Sequence, residues 1–340
     1  SPKYLGTYES HIQKKIIMYS NLPNSWFRVA RSEDLSAKGV IPLHYFGKDF
    51  VLFRTEDGKP HIFDAHCPHL GAHLAHGGRI EGQTLRCPYH GWFWGTNGEC
   101  AAIPYPDKAK PKVKIQNWPV LERNGLIMMY HHHQGKLPDW EIPQIPELIS
   151  EEWTPLRLVR QWKVCTTLQD YMDNSVDVSH LYNLHSRTFK SAHSYGVEVE
   201  GPMLTHRMSQ KYNLSSLAAG KLVLEDGSVT TMYYGPAYDV SFYWTEGRLK
   251  LGLLTIFTGT PIDNEYLDIA IFYSVKKVLP FPLSLILNKM LKQDVLETFE
   301  QDVSILENKK NIRNPLFYQD DGPVRQSRSW ASQFYSENSA

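Results

Sequence analysis

Two short motifs, each combining one cysteine with one histidine, constrain the fold of this chain more than any other feature. Cys67 and His69 form the first motif, Cys87 and His90 form the second, and seventeen residues lie between them. That interval accommodates a strand, a turn and a returning strand, so the motifs are expected at two hairpin tips. Their four ligands suit a structural tetrahedral zinc ion or a [2Fe–2S] cluster in which two histidines replace two cysteines on one iron.

The distribution of the ligands favours the cluster. Zinc fingers usually pair cysteine with cysteine and histidine with histidine in their spacings, whereas each motif here carries one of each. Pro68 and Pro88 fix tight turns directly after the cysteines. Gly71 and Gly91 let backbone amides approach the sulfur atoms, where hydrogen bonds tune the reduction potential. Structural zinc stays open as the alternative.

The composition indicates a globular protein from a reducing compartment. The 340 residues include 36 Lys and Arg against 36 Asp and Glu, so no basic excess argues for nucleic acid or anionic lipid as a partner. The 4 cysteines include Cys100 and Cys165, which are too scattered for a disulfide scaffold. The longest apolar run, near 278–291, is interrupted by prolines and polar residues. We therefore expect a soluble, cytoplasmic protein with no transmembrane segment and no secretory signal.

The first half of the chain predicts a lead-in helix followed by a small β domain. Residues 1–25 mix charged and apolar side chains and end in the turn Asn21-Leu22-Pro23-Asn24, which favours a helix followed by a turn. From 26 to 137 short alternating runs are separated by turn signals such as Asp57-Gly58, which is typical of antiparallel strands. This domain carries both cysteine motifs. Prolines crowd residues 138–152, which we expect to be a linker.

The remaining residues, 153–340, predict a second domain with a large antiparallel sheet flanked by helices. A strand at 156–164 precedes one helical stripe from 168 to 184, in which polar residues recur at steps of three and four. The chain then alternates from 197 to 275, with turn signals between the runs. The last element, 285–308, contains no Gly or Pro and predicts a long helix. The fold class is therefore α+β, with an all-β domain first.

A second metal site is predicted where Asp302 interrupts an apolar stripe on the last helix. Phe299 and Leu306 share its face, so the carboxylate would be buried and would need a cation beside it. A surface or capping acid is the alternative. His180 and His185 would complete two imidazoles and one carboxylate, the facial triad of non-haem Fe(II) sites. Two such histidines are a weak signal alone, but a one-electron cluster in the same chain strengthens it because the cluster needs an electron acceptor.

These motifs resemble those of one enzyme family. Cys67-Pro68-His69-Leu70-Gly71-Ala72 and Cys87-Pro88-Tyr89-His90-Gly91-Trp92 resemble the Rieske signature ligand for ligand. Asn174-x-x-Asp177-x-x-His180-x-x-x-x-His185 resembles the catalytic iron motif of Rieske non-haem iron oxygenases, and Gln301-Asp302 resembles their carboxylate-bearing helix. The resemblance covers nearly the whole chain and is greatest to the group containing 3-ketosteroid 9α-hydroxylase oxygenase components, sterol 7-desaturases and prodiginine-type cyclases.

The resemblance implies the α-subunit of a terminal oxygenase with a helix-grip, START-like catalytic domain. A [2Fe–2S] Rieske cluster would receive electrons from a ferredoxin or a flavin-dependent NAD(P)H reductase, and a mononuclear Fe(II) would use O2. The resemblance further implies a homotrimer in which the β domain of one subunit serves the iron of its neighbour. Asp177 would then bridge His90 of one chain and His180 of the next, with Asn174 belonging to the same catalytic motif.

The expected reaction is hydroxylation of a bulky apolar compound, steroid-like or polycyclic. Desaturation or oxidative cyclisation on the same iron is an alternative, and an electron carrier without oxygenase activity is an alternative from another class. No Gly-x-Gly-x-x-Gly fingerprint occurs, so separate reductase proteins are expected. Aromatic residues between the iron-binding segments are candidates for the substrate pocket, with ordinary core packing as the alternative role. They are Tyr234, Phe242, Trp244 and Phe257.

Overall fold

The structure, a computed structural model, describes residues 22–212, 226–246, 250–280, 282–312 and 314–335. The chain divides into two units, one comprising Asn24–Pro143 with Ile262–Asn264 and the other containing Gln144–Pro261 and the residues from Glu265 onward. The boundary after Pro143 lies inside the proline-rich segment 138–152. The lead-in helix expected within residues 1–25 falls on residues that lie outside the described part of the chain as far as residue 21, and Ser25 begins the first strand.

The first unit consists of short antiparallel strands arranged in three small sheets. The sheet orders are β1-β11-β10, β2-β3-β4-β9 and β5-β6-β7-β8. The bounds of these strands are β1 Ser25–Arg31, β2 Val40–Tyr45, β3 Lys48–Arg54, β4 Pro60–Asp64, β5 Arg79–Glu81, β6 Thr84–Arg86, β7 Phe93–Gly95, β8 Cys100–Ala102, β9 Asn117–Trp118, β10 Val120–Arg123 and β11 Leu126–His131.

A buried apolar core supports the two cysteine motifs. Both motif cysteines belong to this core, which also contains aromatic and branched side chains from several strands: Val51, Phe53, Phe63, Leu74, Leu85 and Trp94. Close packing of this kind leaves side chains few alternative rotamers. The loops that carry Cys67 and Cys87 are therefore anchored at their cysteines.

The second unit is built on a seven-stranded antiparallel sheet with the order β12-β18-β17-β16-β15-β14-β13. Its strands are β12 Arg157–Cys165, β13 Phe189–Glu200, β14 Met203–Tyr212, β15 Gly227–Tyr234, β16 Tyr238–Thr245, β17 Gly252–Pro261 and β18 Tyr266–Val275. Its helices are α1 Leu168–Val176, α2 Ser179–Asn183, α3 Leu283–Asn308 and α4 Val324–Ala331. An all-β unit followed by this sheet and its helices confirms the predicted α+β class.

Two helices pack on the same face of the large sheet. Phe257 and Gly259 share a face of β17 because side chains alternate along a strand. The Phe257 ring lies 5.9 Å from that of Phe299 on α3, and a Cβ at Gly259 would lie 3.2 Å from the Tyr171 ring on α1. Helix α3, which carries Asp302, and helix α1 are thus fixed to one surface. Within the described ranges, no helix is long and apolar enough to cross a membrane.

The single helical stripe predicted for 168–184 is wrong, because the chain breaks into α1 and α2. Asp177 has an extended backbone, with φ −67° and ψ 132°. Its carboxylate Oδ1 accepts hydrogen bonds from the backbone amides of Ser179 at 2.8 Å and His180 at 3.3 Å. These bonds satisfy amides at the start of α2, which is how an aspartate begins a new helix.

The polar stripe of α1 is buried against residues near the C-terminus. Lys309 Nζ lies 3.1 Å from Asp170 Oδ1. Arg328 Nε on α4 donates to Asp173 Oδ1 at 3.0 Å, and a second guanidinium nitrogen contacts the other carboxylate oxygen. Buried carboxylates are costly unless they are paired and hydrogen-bonded. The acids of α1 therefore hold this helix to the segments that follow α3.

We expect Arg328→Leu to destabilise the second unit. The substitution places an apolar side chain on α4 and leaves Asp173, which is 8% exposed, without its guanidinium partner. Removing one partner of such a pair costs about 3 kcal/mol in free energy of unfolding. Urea unfolding followed by circular dichroism measures the loss. Arg325→Leu, on the exposed side of the same helix, is the control, and equal midpoints for both variants would contradict this role.

Candidate metal centres

The two cysteine loops share one backbone geometry. The carbonyl oxygens of Cys67 and Cys87 accept hydrogen bonds from the amides of Gly71 and Gly91 at 2.9 and 3.1 Å. The amide of each cysteine donates to the carbonyl five residues further on, at 2.9 and 2.8 Å. Both glycines have positive φ, 76° and 70°, a conformation that other residues rarely adopt. Only the second loop is the hairpin tip expected, because the first joins strands of two different sheets, β4 and β5.

The loops bring the four predicted ligands together. The rings of His69 and His90 meet edge to face with centroids 4.7 Å apart, and both cysteines are buried. Burial raises the pKa of Cys67 to about 11, the adjacent Cys87 thiol adds to the rise, and the Trp94 indole N–H opposes it. A buried thiol that resists ionisation needs a nearby positive charge to become thiolate, and a metal supplies that charge.

The polar atoms around this pocket fit an iron–sulfur cluster. His90 Nδ1 is buried and has no hydrogen-bond partner within the described ranges, as expected for a nitrogen that binds a metal. The indole nitrogen of Trp92 is also buried, with no acceptor among the described residues. Buried donors without partners are rare in proteins, and sulfur atoms of a cluster would provide acceptors here.

The structure assembles the second predicted set as a triad on two helical segments. His180 lies on α2, His185 follows it, and Asp302 lies on α3. One ligand atom from each of the three side chains lies within 4.8 Å of the others. His185 Nε2 is 3.0 Å and His180 Nε2 is 3.8 Å from Asp302 Oδ1. Two imidazoles and one carboxylate in this arrangement form the donor set of a non-haem Fe(II) site with open positions.

A glutamine fixes the orientation of one histidine. His185 Nδ1 lies 2.9 Å from Gln301 Oε1, so the ring donates there and directs Nε2 toward Asp302. Burial alone would lower the pKa of His185, but the hydrogen bond and charge of Asp302 outweigh it and raise the pKa. The carboxylate of Asp302 thus favours positive charge beside it, which a divalent cation would supply. Buried Asp302 confirms that a polar side chain interrupts the apolar face of α3.

Asp177 lies beside the triad on the side of His180. Its Oδ1 is 3.9 Å from His180 Nδ1, and this buried ring nitrogen makes no hydrogen bond to any residue that the structure describes. Burial alone would raise the pKa of Asp177, but the interaction with His180 lowers it below its ordinary value. Asn174 lines the same surface hollow as Asp177 and His180.

A largely apolar cavity opens beside Asp302, with a volume of about 810 Å³ including its open mouth. Trp244 and Phe257, both predicted pocket residues, line it. Its other walls come from β14, β17 and α3, and include Tyr212, Leu251, Leu253, Leu291, Val295 and Phe299. Cavities of this kind, apolar with few polar groups, are typical binding sites for organic ligands.

Two predicted pocket residues do not line this cavity, and the sheet register gives the reason. Phe242 pairs with Leu254, whereas the cavity side of β17 carries Leu253, Thr255 and Phe257, so Phe242 points to the other face. Tyr234 lies at one end of β15 and Gly227 at the other. Gly227 pairs with the end of β16 that carries Trp244, so Tyr234 lies at the end of the strand away from Trp244. Trp244 reaches the cavity because it covers Gly252, where a Cβ would lie 2.7 Å from its ring.

Sequence reasoning missed Tyr212 and Asp294, two polar residues that line this cavity together with Tyr243. Tyr243 belongs to the same aromatic run as Phe242, and only the strand register tells which of the two faces the cavity. Asp294 lies eight residues before Asp302 on α3, a spacing that places both on similar sides of a helix. This spacing was the sequence feature that could have identified Asp294 as a residue of the cavity.

Comparison with known protein families identifies both units. A family described as the Rieske [2Fe–2S] domain matches residues 25–119, and one described as the 3-ketosteroid 9α-hydroxylase C-terminal domain matches residues 129–335. The chain belongs to the Rieske non-haem iron oxygenases. Cholesterol 7-desaturase of Xenopus laevis is 32% identical over 93% of this oxygenase and 72% of the relative. The oxygenase component of 3-ketosteroid-9-alpha-monooxygenase from Rhodococcus rhodochrous is 29% identical over 97% of this chain and 85% of the relative.

Solved structures agree with this assignment at the level of fold. The crystal structure of dicamba monooxygenase bound to dicamba has a TM-score of 0.74, with 18% sequence identity, and covers 92% of this oxygenase and 97% of that chain. Membership of the family confirms a terminal oxygenase that uses a Rieske [2Fe–2S] cluster, a mononuclear iron and O2. The cofactor of the first unit is thus an iron–sulfur cluster and not structural zinc. As an oxygenase component, the enzyme works with electron-transfer partners.

We expect Trp94→Phe to lower the reduction potential of the Rieske cluster. Hydrogen bonds to the sulfurs stabilise the reduced cluster, and phenylalanine removes the indole N–H that faces Cys67 while keeping an aromatic ring. A redox titration followed by EPR measures the midpoint. Trp118→Phe is the matched control, because the Trp118 indole donates to Asp64 at 2.9 Å and not to the cluster loops. An unchanged midpoint in Trp94→Phe would show that this N–H does not act on the cluster.

We expect Asp302→Ala to lose the mononuclear iron and keep the cluster. Iron should fall from about three to about two atoms per chain, with acid-labile sulfide unchanged, because the remaining histidines supply only two ligands. Iron and sulfide assays on anaerobically purified protein measure both. Glu300→Ala is the control, since this exposed acid of α3 pairs with Arg160. Full iron content in Asp302→Ala would rule out Asp302 as a ligand.

Proposed function

We propose that this enzyme hydroxylates a bulky apolar substrate, steroid-like or polycyclic, and that desaturation on the same iron is the second candidate reaction. The observation that carries the proposal is the apolar cavity beside Asp302, with aromatic walls from Trp244, Phe257 and Phe299. Relatives named for 3-ketosteroids and cholesterol support the substrate class and represent both reactions.

The proposed ligands divide between the two units. In the cluster domain, 26–137, they are Cys67, His69, Cys87 and His90 for the [2Fe–2S] cluster. In the catalytic domain, 153–340, they are His180, His185 and Asp302 for the mononuclear Fe(II). The cluster supplies single electrons when bound, and the iron supplies the site at which O2 is activated. The close approach of the triad atoms and the buried free nitrogen of His90 support these assignments.

The side chains around the iron site position the substrate and exclude water. Gln301 holds the ring of His185, so the ligand does not rotate as the site changes charge. The aromatic walls keep an apolar substrate against the triad and leave little room for water, which protects a reactive oxygen species from side reactions. Trp244 covers the strand end at Gly252 and closes one side of the cavity.

Asp177 is the proposed link between subunits of a homotrimer, joining His180 of its own chain to His90 of a neighbour. Its Oδ1 already accepts two backbone amides, and a small rotation would bring the carboxylate to the free Nδ1 of His180. Leu70 and Tyr89, beside the cluster ligands, are each 64% exposed, which suits docking against another protein surface. Separate ferredoxin or flavin-dependent reductase proteins supply the electrons.

The test is turnover of a steroid panel by the fully metal-loaded enzyme with a surrogate reductase. We expect a product one oxygen atom heavier for hydroxylation, or two hydrogen atoms lighter for desaturation, with its oxygen derived from labelled O2 in the first case. Trp244→Ala should raise KM about tenfold or more by removing an aromatic wall. Tyr234→Ala, which alters a tyrosine away from the cavity, is the control. Loaded enzyme that reduces O2 yet transforms no steroid would overturn the proposed substrate class.

A further inference from the structure

One acidic side chain in the wall of the substrate cavity has no partner among the described residues. Asp294 lies on α3, eight residues before Asp302, and lines the same cavity. At 1.5 Å per residue the two carboxylates are separated by about 12 Å along the helix. Throughout the described part of the chain, the Asp294 carboxylate makes neither a hydrogen bond nor an ion pair of the kind that engages the acids of α1.

The surroundings of Asp294 make this lack of a partner costly. Burial raises the pKa of Asp294 to about 6, Glu297 one turn further on adds to the rise, and His185 opposes it. Tyr212 approaches from the sheet, but its hydroxyl donates to Gln210 Oε1 at 3.3 Å. A polar group in an apolar wall loses its water when a ligand enters, and it then needs a hydrogen bond from that ligand.

We propose that Asp294 binds a hydroxyl group at the end of the substrate that lies away from the iron. The inference rests on the proposed function, because it places a polycyclic substrate in this cavity. A hydroxyl is favoured over a ketone for a chemical reason. A carboxyl group accepts a hydrogen bond from an alcohol in both of its protonation states, whereas a ketone needs the protonated acid as donor. The substrate class is thus narrowed to hydroxylated polycycles.

This contact would also determine which carbon is oxidised. An apolar cavity alone binds a flat polycycle in several positions, because dispersion contacts have little direction. One hydrogen bond about 12 Å along the helix from Asp302 fixes the end of the molecule and hence the distance from its oxygen to the reacting carbon. Asp294 is therefore a specificity-determining residue and not a ligand of the iron.

The experiment compares equilibrium binding of three matched probes to the metal-loaded enzyme without reductant. The probes are cholesterol, the corresponding 3-ketone and the corresponding hydrocarbon lacking the oxygen, delivered in cyclodextrin and followed by tryptophan fluorescence. The wild-type enzyme should bind cholesterol about tenfold or more tightly than the hydrocarbon, with the ketone weaker than the alcohol. Asp294→Leu should remove this preference by weakening cholesterol alone. Asp294→Asn, which keeps an acceptor oxygen, should retain part of it.

Glu297→Gln is the control, because it neutralises the exposed acid one turn away on the same helix and should leave the preference intact. Equal binding of all three probes, or a preference for the alcohol that survives in Asp294→Leu, would overturn the role of Asp294 while leaving the steroid proposal standing. Tighter binding of the ketone would overturn the choice of a hydroxyl. If none of the probes binds to the loaded wild-type enzyme, the proposed substrate class fails, and the inference fails with it.

Discussion

The buried carboxylate of Asp302 is the constraint on which the catalytic unit depends. An acid on the apolar side of α3 needs positive charge within reach, and the fold places two imidazoles there. His185 is buried and oriented by Gln301, while His180 arrives on a separate short helix. That short helix exists because Asp177 ends one helical segment and caps the next. The candidate iron site therefore depends on two things. The path of the chain brings the two imidazoles to α3, and the buried carboxylate needs positive charge beside it.

The candidate metal ligands could be proposed from sequence because ligand chemistry depends on residue type and spacing. Cys67, Cys87 and their histidines could be assigned in this way, and Asp302 stood out against its apolar neighbours. The break at Asp177 was not predictable from periodicity. An aspartate that caps a new helix and a solvent-exposed aspartate within one helix both fit the same polar pattern. The hydrogen bonds that the Asp177 carboxylate accepts from the amides of Ser179 and His180 become evident only in the structure.

The substrate cavity was the least predictable part of the enzyme. The sequence showed many aromatic residues between the iron-binding segments. Which alternate side chains of a strand face the helices depends on register, because a shift of one residue exchanges the two faces. Phe242 was assigned to the wrong face for this reason, whereas Trp244 reaches the cavity only through the space above Gly252. Asp294 was overlooked because an acid on a helix is usually solvated, and its position in the cavity wall becomes evident only in three dimensions.

The shared geometry of the two cysteine loops has a consequence for cluster assembly. Each loop offers one thiolate and one imidazole, and in the proposed cluster the two thiolates bind one iron while the two imidazoles bind the other. Each iron then cross-links both loops, so neither loop alone can retain half of the cluster. The two loops are expected to become ordered in a single cooperative step as the cluster is inserted. The cluster would thus form two cross-links between loops that connect strands of two separate small sheets.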